Sequence, residues 1–303
     1  MKTGIIDIGS NTIHLTIFKY ESDGSFKALL DDKIFAGLAK YASANALSPD
    51  GADTLCESLR YFSGVAQNLG VTDVRAFATA SLRGLTNKAA ILSRAKEETG
   101  LDIEAIDGEE EARLSFLGAR HYTSLTDALA ADIGGASTEL ISVRNGEAVA
   151  FDVRPEGCLS LRVKYIKGLA AKKSEIAQIR KAIGVLFDAA PKQFFADAVS
   201  LCGIGGTARA ASKLARAMGL LSGPPNGLPV AVLRKMTGLM ADKDPKILDF
   251  AEKVIPERFF SVLPGMMILK ELAKRTAAET IIIGKGGVRE GYLIDRIMVG
   301  TSE

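Results

Sequence analysis

The sequence has little of what would assign it quickly. Its three cysteines, Cys56, Cys158 and Cys202, stand far apart and form no C-x-x-C pair. That spacing fits neither a disulfide framework nor a zinc site, and the cysteines read as reduced packing residues. Histidine is scarcer still: His14 alternates with Ile13 and Leu15 in a strand-like run, and His121 lies in a polar, weakly patterned stretch. Neither sits in a local Ser-His-Asp or Cys-His arrangement. There is no excess of charge, since 38 Lys plus Arg stand against 36 Asp plus Glu, so no overall field draws the chain to nucleic acid or an anionic membrane. Any anion site must be local. No apolar run approaches the roughly 20 residues a bilayer span needs. Met1 leads straight into strand-like sequence instead of a signal peptide, which makes a cytoplasmic protein the expectation.

What is present is a doubled stretch. "IIDIGSNTIHLTIF" at Ile5 to Phe18 returns as "AADIGGASTELISV" at Ala130 to Val143, placing Asp7 on Asp132, Gly9 on Gly134, Thr12 on Ser137 and Leu15 on Leu140. Each copy reads as strand, glycine turn, strand, hairpin, strand. Asp23-Gly24 marks the first hairpin and Asn145-Gly146 the second, since both turn positions there favour positive φ. Helical patterns follow each meander, at Ala52 to Asn68 with Leu55, Leu59, Phe62, Ala66 and Leu69 on one face, and at Ser174 to Phe187. Strand-like runs then return at Asp73 to Ala78 and at Val199 to Leu201. A chain of 303 residues with 47% hydrophobic content can fill two ordinary cores. The pattern predicts a duplicated α/β fold: one domain over 1–125, a second over 126–287, a final helix from about 288 to 303 returning to the first, and a cleft between the copies. Leu220 to Pro229, with paired prolines and two glycines, is expected to be an irregular loop.

The glycine turns suggest anion binding. A strand ending in Asp-Ile-Gly sets a carboxylate at its end, and small residues after it let backbone N–H groups approach a phosphate. Asp7 and Asp132 are therefore candidate metal-linked carboxylates beside phosphates, with the alternative that each is simply an aspartate at a tight hairpin. A third turn, "LCGIGGTARAAS", puts Gly205, Gly206 and Thr207 at a helix start that can bind an anion. Its partial match to a dinucleotide fingerprint is weak, because the required βαβ context and acidic residue are not evident. In "ATASLRGLTN", Arg83 follows a strand and can form bidentate hydrogen bonds to phosphate. In "IDGEEEARLSF", Asp107 and Glu110 form a D-x-x-E capping pair, whereas Glu111 points about 100° away around the helix and is open to general-base work. Lys285 and Arg289, in "IIIGKGGVREG", are phosphate contacts or solvated charges.

Taken in order, "DIGSNTIHL", "ATASLRGLTN", "IDGEEEARL", "DIGGASTEL", "GIGGTARA" and "GGVREG" resemble the Ppx/GppA family, the exopolyphosphatases and guanosine pentaphosphate phosphohydrolases of the actin/hexokinase/heat-shock-chaperone ATPase superfamily. The resemblance implies two actin-like (ribonuclease H-like) domains, Mg²⁺ dependence with Mn²⁺ as the alternative, and release of terminal phosphate from inorganic polyphosphate or from pppGpp. By motif it places Glu111 as general base and Asp132 as the metal-linked aspartate, with Glu111 and Asp7 as further candidate ligands. Ser10, Asn11, Arg83, Gly134, Gly135 and Ser137 fall at phosphate-binding positions, and Gly9 and Thr12 complete the first turn. A homodimer is plausible on the same ground.

The sequence departs from the family pattern at Ala136, where a third glycine is usual, and at Phe260, where aspartate is common. It also lacks the additional C-terminal helical domains of longer members, which suggests the short form and a preference for short polyphosphate chains. Rival readings are an acceptor-dependent kinase of the same superfamily using ATP and a nucleotide-binding regulatory protein that holds (p)ppGpp or ATP without cutting it.

Overall fold

The computed structural model describes residues 1–43, 45–222 and 227–299. Two compact units divide the chain: Met1–Glu111 with Tyr292–Glu303, and Ala112–Gly291.

In the first unit, β1 (Lys2–Ile8), β2 (Ile13–Tyr20) and β3 (Phe26–Ile34) form the meander read from the sequence. A small hairpin of β4 (Ala42–Ser43) and β5 (Ala46–Leu47) precedes α1 (Pro49–Asn68). That helix starts three residues before the expected position, because Ser48 caps the Gly51 N–H and Pro49 takes the first turn, where its missing N–H costs nothing. Then follow β6 (Val74–Ala78), α2 (Lys88–Thr99), β7 (Ile103–Ala105) and the start of α3 (Gly108–Arg120). The sheet order is β3-β2-β1-β6-β7, with β1 parallel to β6. Alternation along the strands sends Ile6, Ile8, Ile13, Leu15 and Ile17 to one face, where they bury against Leu55, Leu59 and Phe62 of α1. Each such side chain contributes about 1.5–3 kcal/mol when fully buried. Leu69, expected on that helical face, lies just past the helix end and is exposed.

The second unit repeats the plan. β8 (Ala128–Ile133), β9 (Thr138–Arg144) and β10 (Glu147–Arg154) form the meander, followed by α4 (Cys158–Tyr165), α5 (Lys173–Asp188) and α6 (Gln193–Ala196). After β11 (Ser200–Ile204) and α7 (Gly205–Ala217) come β12 (Gly227–Pro229), α8 (Val230–Ala241), α9 (Pro245–Val254), α10 (Val262–Arg275), β13 (Thr280–Ile283) and α11 (Val288–Tyr292). The sheet runs β10-β9-β8-β11-β13-β12. One face carries Leu129, Ala131, Ile133 and Leu140 into a core with Ile179, Phe187, Leu214 and Leu269; the other sets Ala128, Ala130, Ile141 and Val143 against Ala112, Phe116 and Ala119 of α3.

The expected loop over 220–229 needs correction at its end: Gly227–Pro229 pairs antiparallel with β13. It is the outermost strand, where a proline lacking its N–H does no harm to the ladder. Residues 223–226 of that segment, and 300–303 of the final helix, lie outside the described residues. All three cysteines are buried and free. No described helix is long and apolar enough to cross a membrane.

Candidate functional site

The sequence repeat is a repeat of hydrogen bonding. In the first turn the Gly9 N–H donates to the Thr12 carbonyl at 3.1 Å; in the second the Gly134 N–H donates to the Ser137 carbonyl at 3.0 Å. The strand pairs closing the turns correspond too, Ile8 with Ile13 and Ile133 with Thr138, so Asp7 and Asp132 occupy the same register position.

In the first unit, Ser10 and Asn11 belong to a loop braced from behind: their carbonyls accept the N–H groups of Ala39 and Gly37 at 2.9 and 2.8 Å. A side chain at position 9 would place its Cβ 2.9 Å from the Thr12 carbonyl, so glycine is required for the closure. Asp7 shares a face with Ile5, pairing with His14 in β2 and Phe77 in β6. Beyond β6 the chain turns tightly, with the Ser81 hydroxyl donating to the Ile8 carbonyl. That turn presents Arg83, whose Nη2 lies 2.5 Å from Oε2 of Glu111. Both side chains are mostly shielded, and Nε of Arg83 is buried without a hydrogen-bond partner. A guanidinium holding a carboxylate on one edge while a buried donor goes unused on another is suited to receive an anion.

In the second unit, the turn is clamped by the start of α4. Cys158 N donates to the Gly134 carbonyl at 3.0 Å, and Leu159 N and Ser160 N donate to that of Gly135 at 2.8 and 2.9 Å. These bonds use up N–H groups that a helix start ordinarily leaves open. Gly157 must be glycine for this approach, since its Cβ would stand 2.4 Å from the Gly134 carbonyl. Ser137 is buried within the turn.

Asp132 is the most strongly shaped group. Its Oδ2 accepts the Ser115 hydroxyl at 2.7 Å. Gly205, at φ +78°, leaves open the space beside Oδ1, where a Cβ would come within 2.2 Å. Burial raises the Asp132 pKa above the ordinary aspartate value, opposed by the Ser115 hydroxyl and the charges of Arg209 and Arg258. Gly206 plays the same part for Arg258, as a Cβ there would lie 1.9 Å from Nη2 of that arginine. Thr207 is buried and its hydroxyl donates to the Ile133 carbonyl at 2.8 Å, which ties α7 to the second turn. Of the two later cations, Lys285 is exposed and Arg289 partly buried.

Two residues with no role in the sequence reading emerge here. Glu139 pairs in register with Asp132 across β8 and β9 and is almost wholly buried. Its signal was the second repeat itself, which sets Glu139 where the first has His14. Arg258 lies about fifty residues beyond Gly206 in sequence, and no local pattern joins them.

Among the described residues no group of three or more His, Cys, Asp and Glu side chains is arranged to hold a metal ion. Mg²⁺, however, is commonly held by one or two carboxylates completed by water and substrate phosphate. The carboxylates of Asp132 and Glu139, register partners on β8 and β9, are hard oxygen donors of the kind that manner of binding uses.

Comparison with known proteins identifies the family. The pattern of the Ppx/GppA phosphatase family matches residues 18–298. The chain is 26% identical over 318 residues to Exopolyphosphatase 1 of Mycobacterium tuberculosis, covering 98% of this chain and 88% of that protein. It is 28% identical over 303 residues to the guanosine-5'-triphosphate,3'-diphosphate pyrophosphatase of Vibrio cholerae, covering 96% of this chain and 58% of that one. Among solved structures, an exopolyphosphatase from Cytophaga hutchinsonii superimposes with a TM-score of 0.85 at 23% identity, over 99% of this chain and 98% of that one. The Aquifex aeolicus Ppx/GppA family member gives 0.81 at 21%, over 100% and 99%. The duplicated α/β fold is therefore that of this family's short two-domain members. The chain belongs to the Ppx/GppA phosphatase family.

Proposed function

We propose that this Ppx/GppA family member is an exopolyphosphatase, hydrolysing the terminal phosphoanhydride of inorganic polyphosphate to release orthophosphate, with pppGpp as a second substrate. The observation that carries the reading is the Arg83–Glu111 pair standing beyond the braced Gly9–Thr12 turn. Phosphoryl transfer asks a protein chiefly for positioning and charge stabilisation, and these residues offer both. The terminal phosphate draws on Arg83, including its unused Nε, and the Gly9–Thr12 turn of the same unit contributes backbone donors. Glu111, held by Arg83, accepts the proton of the attacking water as its oxygen bonds to phosphorus and the bridging oxygen departs with the shortened chain. Asp7, in the first unit, is a separate candidate ligand; Asp132 and Glu139, register partners in the second unit, would hold Mg²⁺. Bound there, the cation neutralises phosphate charge and polarises the phosphoryl oxygens. Gly205, Gly206 and Thr207 shape the surroundings of Asp132 and Arg258.

Polyphosphate ranks first because the match to the mycobacterial exopolyphosphatase extends over most of that protein, whereas the Vibrio pyrophosphatase is matched over little more than half. The test is phosphate release with Mg²⁺ from short polyphosphate, long polyphosphate and pppGpp, with Glu111→Gln alongside. Release from polyphosphate should fall by roughly 100- to 10,000-fold in the variant, the span for loss of a general base. A Glu111→Gln enzyme with normal kcat would remove Glu111 from this role, and absence of release from every substrate would overturn the hydrolase reading.

A further inference from the structure

The first turn of α3 is closed by the Glu111 N–H donating to the Asp107 carbonyl at 3.0 Å. Its leading N–H groups have no intrahelical acceptors, and Glu109, Glu110 and Glu111 place three carboxylates in succession. Asp107 supplies part of the remedy, its Oδ1 accepting the Glu110 N–H at 2.9 Å. A side-chain contact reaches the same turn from residues 292–296, within the same unit.

There Tyr292 is buried with its ring stacked on Phe77, centroids 4.8 Å apart, and its hydroxyl donates to Oε2 of Glu104 at 2.8 Å. Phe77 and Glu104 are register partners on β6 and β7, so one tyrosine straddles both strands. Four residues on, in the π-helical stretch Leu293–Met298, Arg296 donates through Nη2 to Oε1 of Glu104 at 3.2 Å and to Oε1 of Glu110 at 2.6 Å. A second nitrogen of the same guanidinium donates to Asp295. Glu110 and Glu111 project about 100° apart. The turn is thus gripped on two sides, Glu110 by Arg296 and Glu111 by Arg83.

We infer that Arg296 is a positioning residue for the hydrolysis: by holding Glu110 it fixes the opening turn of α3 and, through that turn, the neighbouring Glu111 carboxylate. The inference rests on the proposed role of Glu111. Arg296 need not touch substrate, so its loss should lower turnover and leave substrate affinity alone.

The experiment compares Arg296→Met, Arg296→Lys, Glu110→Gln and the Arg296→Met/Glu110→Gln double variant by phosphate release and thermal melting. Hydrogen exchange of the peptide spanning residues 107–113 is followed in each. Arg296→Met should lower kcat about 10-fold, as small misplacements of a reacting group do, with KM within about twofold and the melting temperature nearly unchanged. Arg296→Lys should recover part of the loss, and the double variant should be no worse than Arg296→Met alone, since Glu110→Gln breaks only a contact that Arg296→Met already removes. Exchange in the α3 turn should quicken in Arg296→Met. Unchanged kcat in an active enzyme, a loss that tracks unfolding, or additive losses in the double variant would overturn the inference. If the wild type releases no phosphate, the proposed activity fails by itself; exchange still decides whether the clamp exists, and an unaltered rate in Arg296→Met would dismiss it.

Discussion

In the first sheet Asp7 stands across from His14; in the second Asp132 stands across from Glu139. The two turns close by the same hydrogen bond, yet only the second sets two carboxylates in register. Beyond the adjoining strand the copies differ again. β6 runs into a tight turn that delivers Arg83 to Glu111, whereas β11 passes at once into α7, whose first two glycines make room for the Asp132 carboxylate and the Arg258 guanidinium. The duplicated framework thus carries different side chains: the first copy has the Arg83–Glu111 ion pair, the second the Asp132–Glu139 carboxylate pair. Repetition fixes where a strand ends, and the side chains across from that point decide what the end can do.

The sharpest way to break this comparison is to fill a glycine in each copy. Gly205→Ala would force a Cβ to within 2.2 Å of Oδ1 of Asp132 at a positive φ. It should cost about 3 kcal/mol or more in urea unfolding, combining backbone strain and displacement of the carboxylate. Gly84→Ala, at φ +75° in the first unit but facing open space, should cost only about 1 kcal/mol. Equal costs would mean that the space beside Asp132 is not a built feature.

A smaller effect concerns pH. A carboxyl whose folded pKa is raised, as burial raises that of Asp132, contributes stability below its unfolded pKa and loses it as pH rises through the folded value. At neutral pH the ionised side chain therefore weighs against folding. Asp132→Asn should melt a few degrees above wild type at pH 7, with the gap closing on acidification toward the ordinary aspartate range. A lower melting temperature at pH 7, or a gap indifferent to pH, would contradict the desolvation of this group.

Much of this was legible in the sequence because the repeat was strong. Asp-Ile-Gly followed by small polar residues and an alternating strand allows few foldings, and Asn145-Gly146 fixes its hairpin. The strand-like run at Asp73 to Ala78 forms a strand over Val74–Ala78, one residue shorter than expected. The β12 strand was not legible, since proline argues against a strand unless the strand is known to be an edge. Arg83 and Glu111 could each be singled out, but their 2.5 Å contact joins positions 28 residues apart and depends on β6 and α3 reaching the same end of one sheet. Arg258 was invisible for the same reason. Glu139 was overlooked although it lay inside a quoted motif, because its meaning comes only from register with Asp132.

The division between the copies is tested most directly by titrating Mg²⁺ into phosphate-release assays of wild type, Asp7→Asn and Asp132→Asn. Asp132→Asn should lose turnover by about 100-fold or more, the scale for removing a transition-state charge partner, or require far more Mg²⁺ to recover it. Asp7→Asn should shift the Mg²⁺ requirement much less than Asp132→Asn. An Asp7→Asn enzyme with a sharply raised Mg²⁺ requirement beside an Asp132→Asn enzyme that titrates normally would contradict the assignment of the cation to the second turn.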